Sequence, residues 1–432
     1  MICDNLKINE NNELEFAGHS TVALAKKYGT PLYVMDEEKI RSNIRRYKKT
    51  IKEACGEEAM IYFASKACDF KDIYRIVKEE GIGADVVSGG EIFTAYSAGF
   101  PMENACFHGN NKTEEEIRYA MNVNVGCFVI DNEDEVLEVE RIASELNRVQ
   151  KVLLRITPGI DPHTYEAVAT GKVDSKFGSA IETGAAEKIV KLVLNQPHLS
   201  LAGFHCHVGS LVFDSDVFLK CADAMLKFMA EMKSKVNYEA RELNLGGGYG
   251  VRYVESDPII DLEENLRLVG RYVRTRSEEL GIKMPVVKME PGRSIVADAG
   301  MTLYTVGSVK CIPGYKNYVS IDGGMSDNPR FALYRSNYTV LCANRVQEEQ
   351  LMNCSVVGKC CESGDIIQEN VPLPKSIQRK DLIAVLTTGA YNYSMASNYN
   401  RITRPAVVML KKEQEEIVVQ RESWQDLIKN EK

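Results

Sequence analysis

The 432-residue sequence has one tryptophan and six histidines, and none of its twelve cysteines forms a C-x-x-C pair. Without such pairs there is no zinc ribbon, and the low cysteine density rules out a disulfide-stapled scaffold; most thiols are expected to be reduced, buried and small. An excess of positive charge is also missing. With 53 basic against 61 acidic residues the net charge is −8, which gives no electrostatic footprint for nucleic acid or an anionic membrane. No uncharged apolar run reaches membrane-spanning length, and the opening "MICDNLKINENNELEF" has neither a basic nor an apolar leader region. The expectation is a cytoplasmic protein whose partners are small molecules or copies of itself. Internal repeats and low-complexity linkers are lacking too, so this length with 44% apolar residues implies two packed domains.

What is present is alternation. From Met60 onward, "MIYFAS", "GADVVS", "NACFHG", "GCFVID", "KVLLRIT", "LAGFHCHVG", "ELNLGGG" and "PVVKMEPG" read as strands, separated by amphipathic stretches. In "TEEEIRYAM", Thr113 and Glu116 have capping-box spacing, and "DLEENLRLVGRYVRTRSEEL" carries an apolar helical stripe. Eight such units fit a TIM (β/α)8 barrel, although a doubly wound sheet has a similar local pattern. We expect the barrel, over residues 36–290. Beyond Gly300 the long helices stop and β-rich runs follow: "MTLYTVGSVKCI", "YKNYVSIDGG", "NYTVLCANR", "DLIAVLTTG", "PAVVMLKK" and "EEIVVQRE". They predict a mainly antiparallel β-domain over 291–432, joined by residues 1–35, where "PLYVMD" begins.

Chemistry in a TIM barrel gathers at the C-terminal ends of the strands. Those ends carry Lys66, Ser88, His108, Arg155, His207, the triplet Gly246 to Gly248, and Glu290. A glycine triplet alone is a tight turn; after the seventh strand it is where such barrels hold a phosphate, so a phosphorylated cofactor is expected. Lys66 ends an apolar strand, where a partly desolvated amine can form a Schiff base or simply snorkel to solvent. Glu290, before a Pro-Gly turn, can hold the ring nitrogen of a pyridoxal group protonated, or pair with Arg293 or Lys288. In "HCH", His205 and His207 share one strand face and Cys206 takes the other. Stacking on a ring or a satisfied core histidine fits better than a metal pair that has no third ligand, so no metal is expected.

Taken together, "FASKAC", "GADVVSGGE", "FHGNNKT", "DSKFG", "GFHCHVGS", "LGGGYG", "EPGRSIVADAG", "DGGMSDNPRFALY", "CCESGD" and "GAYNYSMASNYN" resemble the diaminopimelate decarboxylases. These are fold type III, alanine-racemase-like pyridoxal-phosphate enzymes, and the likeness runs from about residue 30 to 410. The barrel motifs are shared with ornithine and arginine decarboxylases. "HGNNKT", "DNPRFALY", "CESGD" and "GAYNYSMASNYN" point to the diaminopimelate branch. The resemblance implies pyridoxal 5'-phosphate as cofactor, meso-diaminopimelate as substrate, and a homodimer with shared sites.

By the same resemblance Lys66 is the lysine that bears the cofactor, His207 stacks on its ring, and Glu290 partners the ring nitrogen. Ser210, Gly247, Gly248 and Gly292 hold the phosphate, with Arg293 and Tyr391 also beside the cofactor. Arg293, Arg330, Tyr334 and Tyr391 resemble substrate contacts. Glu362 and Tyr391, with Cys361 as proton donor, are supplied by the neighbouring subunit. A thiol, with a reference pKa of about 8.5, stays protonated at neutral pH yet gives up its proton readily. Cys360 would face away and pack if that segment is extended. The alternative substrate is a related amino acid or a polyamine precursor of the ornithine, arginine or carboxynorspermidine type. An ornithine-type substrate has no distal carboxylate for the arginines to bind. Phe63, Cys68 and Leu211 depart from the usual pattern, and Leu211 touches the polar contacts beside the phosphate.

Overall fold

The computed structural model describes residues 2–160 and 174–432. All eight strand candidates are strands: β1 (Met60–Ala64), β2 (Gly83–Val86), β3 (Ala105–Phe107), β4 (Cys127–Ile130), β5 (Gln150–Thr157), β6 (Leu199–His205), β7 (Glu242–Asn244) and β8 (Val286–Met289). Each pairs in parallel with the next. β8 closes on β1 through Lys288↔Met60 and Met289↔Ile61, so the sheet is a barrel and not an open doubly wound one. β2, β3 and β4 are buried at every position, which is why they read as unbroken apolar runs. Tyr62, Cys106, Cys127, Val129, Leu153 and Ala202 pack as one buried cluster among these strands.

The helices between the strands start where their caps dictate. Thr113 Oγ1 accepts from the Glu116 amide at 3.3 Å, and Glu116 Oε2 accepts from the Thr113 amide at 3.0 Å, so both halves of the predicted capping box are made. Asp261 caps the helix Leu262–Glu279.

The remaining chain builds a β unit on the long strand Gly300–Ile312. That strand pairs antiparallel with Lys316–Ile321, Leu382–Leu386 and Leu32–Asp36. Leu32–Asp36 in turn runs parallel to Ala406–Lys411, and Lys316–Ile321 runs parallel to Leu351–Val357. The other pairings in this sheet are antiparallel, as expected. Its core joins Leu32, Val34, Met301, Leu303, Ala384 and Val408. Within this sheet, two strands, Leu351–Val357 and Ile366–Pro374, were not anticipated. The second carries Pro372 and Pro374 and lies at the sheet edge, where proline is tolerated but masks the strand signal.

The chain divides into two compact units: residues 1–42, 251–258 and 295–432 form the β unit, and 43–250 with 259–294 form the barrel unit. These borders lie a few residues beyond 35/36 and 290/291, and the segment 251–258 crosses to the β unit. The crossing has a local cause. Thr339 donates to the Tyr253 carbonyl through its amide (3.0 Å) and its hydroxyl (2.9 Å), and Tyr253 packs edge-on against Tyr338. Among the described residues no helix is long and apolar enough to cross a membrane.

Candidate active site

In the barrel unit the strand ends converge on Glu290, which is buried just past β8. Its Oε1 accepts from His108 Nε2 at 2.8 Å and from Asn244 Nδ2 at 2.6 Å, and its Oε2 accepts from His205 Nε2 at 3.0 Å. Lys288, which the sequence offered as an alternative partner, instead pairs with Glu242 at 2.7 Å. Burial alone would push the Glu290 carboxyl up, but His108 and His205 outweigh it and hold the group well below the carboxylate range. Burial pushes His205 down to about 4, so it is neutral. His108 is shifted the other way: burial opposes its charge, and Asp85 and Glu290 more than offset that. His108, His205 and Glu290 also have metal-ligand chemistry, but their facing atoms are already engaged in hydrogen bonds with one another.

Lys66 sits one turn beyond β1, in the 3-10 segment Ser65–Ala67. Ser65 and Ala67 are buried while Lys66 is exposed. What the turn provides is a fixed backbone beneath a presented amine. His207 lies two residues past β6; burial, then the cations Lys66 and Arg155, push it well below the imidazole range, leaving a neutral ring. Cys206 faces away as expected, its Sγ 3.2 Å from Cys221 Sγ on the helix Ser215–Val236.

The glycine triplet packs beside His207. A Cβ on Gly247 would lie 2.2 Å from the Glu290 carbonyl oxygen, and one on Gly248, at φ +118°, would lie 2.2 Å from the Gly209 carbonyl oxygen. At Gly292 a Cβ would come within 2.9 Å of Ala64 Cβ. The Gly247 and Gly248 amides make no backbone hydrogen bond among the described residues. Arg293 donates to Ser210 Oγ at 3.1 and 3.3 Å, bringing a guanidinium and a hydroxyl together. Free amides, a hydroxyl, a guanidinium, a presented lysine and a buried anion match the phosphate, carbonyl and ring nitrogen of pyridoxal phosphate. The residues present fit that group. Gly247→Ala is expected to weaken cofactor binding about tenfold at unchanged circular dichroism, because overpacking of this kind costs about 1–3 kcal/mol; equilibrium dialysis checks it.

The β unit holds the other candidates. Arg330 opens the short helix Arg330–Tyr334 and is 2% exposed. Its Nη1 donates to Tyr338 Oη at 2.7 Å and its Nη2 to Ser336 Oγ at 3.1 Å, and the guanidinium lies 4.8 Å from the Tyr253 ring centre. No carboxylate lies within ion-pair distance of it among the described residues. A buried guanidinium held only by hydroxyls and an aromatic face is poised for an external anion. Tyr334 is half-buried at the end of the same helix. Tyr391 is half-buried too and adopts φ +62°, a left-handed conformation that a bulky residue rarely takes.

"GKCCESGD" forms a bent turn between Leu351–Val357 and Ile366–Pro374, not an extended segment. The two cysteines still part: Cys360 is buried and Cys361 exposed. The device is Asp365, which sequence reasoning missed. Its buried carboxylate accepts from the Cys360 amide at 2.7 Å and the Met325 amide at 2.6 Å, pinning the turn to the "GGMSD" loop. The Cys361 amide donates to Asn400 Oδ1 at 2.6 Å, and Tyr399 Oη donates to Glu362 Oε2 at 3.4 Å. Cys361 and Glu362 are thus presented on one exposed turn.

Comparison with known proteins shows the family and the fold. Residues 37–297 match the family described as pyridoxal-dependent decarboxylase, pyridoxal binding domain. Diaminopimelate decarboxylase of Bacillus subtilis is 44% identical over 98% of this chain and 95% of its own length. That of Staphylococcus aureus is 44% identical over 98% of this chain and 99% of its own. The crystal structure of diaminopimelate decarboxylase from M. jannaschii in co-complex with L-lysine superposes with TM-score 0.93 at 33% identity, covering 100% of this chain and 98% of that one. From the closed barrel, the strand-end site and this near-full-length similarity, the chain belongs to the diaminopimelate decarboxylase family of pyridoxal-dependent decarboxylases.

Proposed function

We propose that the chain converts meso-2,6-diaminopimelate to L-lysine and CO₂ with pyridoxal 5'-phosphate, as a cytoplasmic homodimer with shared sites. The observation that carries the substrate reading is Arg330, a buried cation with hydroxyl partners and, among the described residues, no carboxylate of its own. A second carboxylate on the substrate supplies the missing charge, which an ornithine-type substrate does not. Twelve free cysteines fit a reducing compartment.

Bound pyridoxal phosphate supplies the electron sink for the pair left on the α-carbon when its bond to the carboxyl carbon breaks. The chain does the rest. The Lys66 amine would bear the cofactor, neutral His207 would lie against its ring, and anionic Glu290 would accept from its ring nitrogen. Ser210, Gly247, Gly248 and Gly292 hold the phosphate, with Arg293 and Tyr391 beside it. Arg293, Arg330, Tyr334 and Tyr391 bind substrate, while Glu362 takes the distal ammonium. The Cys361 thiol, from the neighbouring subunit, gives its proton to the α-carbon and regains one from solvent. One carboxyl leaves as CO₂ and one proton takes its place, so the balance closes.

The test is a direct assay: holoprotein with meso-diaminopimelate forms lysine and CO₂ in equal amounts, and with ornithine forms neither product of that ratio. Turnover of ornithine in preference to diaminopimelate overturns the reading. Arg330→Ala is expected to raise the KM for diaminopimelate about a hundredfold, in line with about 2–5 kcal/mol for losing one partner of a buried charge pair. The cofactor dissociation constant should stay within about threefold, since Arg330 is assigned to substrate alone. Parallel loss of both would make it a fold residue.

A further inference from the structure

A carboxylate offers about four lone-pair sites, two on each oxygen. On Glu290 the chain fills both sites of Oε1, with His108 Nε2 and Asn244 Nδ2, and one site of Oε2, with His205 Nε2. We propose that His108, His205 and Asn244 are positioning residues that lock the Glu290 carboxylate and leave one acceptor site, on Oε2, for the ring N–H of the cofactor. This rests on the reading of Glu290 as the ring partner.

The two imidazoles do this in opposite charge states. His205 is fully buried with its Nδ1 unpartnered, so its single proton is on Nε2 and a second would be buried without an acceptor. His108 faces two acids through the one nitrogen, Nε2: Glu290 Oε1 at 2.8 Å and Asp85 Oδ1 at 3.8 Å. His108 carries the proton between them. Asp85 matters because a lone imidazolium would neutralise Glu290 and spoil it as a counter-ion for a ring cation. Glu290, His108 and Asp85 together keep one net negative charge, which matches one pyridinium. Asn244 is fixed in turn by accepting from the Gly246 amide at 2.9 Å, so the clamp and the glycine cradle share a backbone link. Among the described residues, the other titratable or charged groups that act on the cluster include Asp131, Arg155, Lys66, His207, Glu91, Tyr74, Cys106 and Cys206.

The test follows cofactor affinity and the absorbance of bound cofactor against pH in holoprotein. Glu290 has a depressed pKa, so its binding contribution is present at neutral pH and lost as pH falls through that value. His108→Phe fills the space but removes the cationic donor, which raises the Glu290 pKa. Its acid limb should move up by about one unit, equivalent to about a tenfold loss of affinity on that limb. His108→Gln restores a neutral donor and should recover part of the shift, whereas a packing role would favour Phe over Gln. Should His108→Phe fail to fold, Asn244→Leu reads the same effect, because it removes the Nδ2 donor to Glu290 Oε1 at similar volume and the limb shifts in the same direction. Glu290→Gln should abolish the limb. If the limb is lost in Glu290→Gln but unmoved in His108→Phe or Asn244→Leu, the clamp is overturned and the ring-partner reading stands. If Glu290→Gln leaves the limb in place, both are overturned.

Discussion

Lys66→Ala protein forms no lysine above about a thousandth of the wild-type rate, and borohydride treatment of wild-type holoprotein fixes the cofactor to Lys66. The size of the loss follows from the amine's two duties. It makes the covalent attachment that divides a hard step into easier ones, and it returns to displace the product; loss of either is a large term. The geometry supports an amine built for attachment. Buried Ser65 and Ala67 hold the turn, and the side chain between them is exposed beside neutral His207. Peptide mapping of the reduced protein is the decisive measurement. An adduct on another lysine, or Lys66→Ala protein with ordinary turnover, removes Lys66 from its place.

The second large effect is expected at Cys361. Cys361→Ala should retain the cofactor and bind substrate but lose turnover by about a hundredfold to ten-thousandfold, the range for a positioned proton donor. Cys360→Ala, which removes a buried thiol outside the chemistry, should cost stability of about 1 kcal/mol and leave turnover close to normal. Because the thiol is assigned to the partner's site, two inactive proteins should rescue each other. Random exchange between Lys66→Ala and Cys361→Ala subunits makes half of the dimers hybrids with one intact site each, restoring about a quarter of wild-type activity. Verified exchange with no recovery means that one chain supplies both groups to a site, and the shared arrangement fails.

The barrel was legible because strands buried on both faces leave unbroken apolar runs, and runs such as "CFVI" survive any detail of pairing. The strand-end residues followed from that, since a known barrel has a known reactive rim. What stayed hidden were contacts between residues far apart in sequence that look ordinary singly. His108 and His205 are separated by 97 positions, yet both hydrogen-bond Glu290; nothing in "FHG" or "FHC" announces a common partner. Asp365 reads as a turn acid in "ESGD", and only the fold reveals its grip on the Cys360 and Met325 amides. The separation of Cys360 from Cys361 was anticipated by strand alternation and achieved by a bent turn, so the outcome held while the reason changed. The left-handed backbone at Tyr391 has no sequence signal at all, because tyrosine is not a residue that turn chemistry would nominate there.

The placement of Leu32–Asp36 between Gly300–Ile312 and Ala406–Lys411 has a consequence for the order in which the protein is made. The strand leaves the ribosome early, and its neighbours are translated on the order of tens of seconds later at roughly 5–20 residues per second. Through that interval its apolar face, with Leu32 and Val34, and both rows of backbone donors and acceptors await partners, and the last barrel strand, Val286–Met289, emerges before either neighbour does. The nascent chain therefore carries an open β-edge ahead of a finished barrel. A ribosome stalled short of Ala406 would release a chain whose barrel can fold but whose first sheet strand still has one side unpaired, a ready substrate for chaperones or for association with another such fragment.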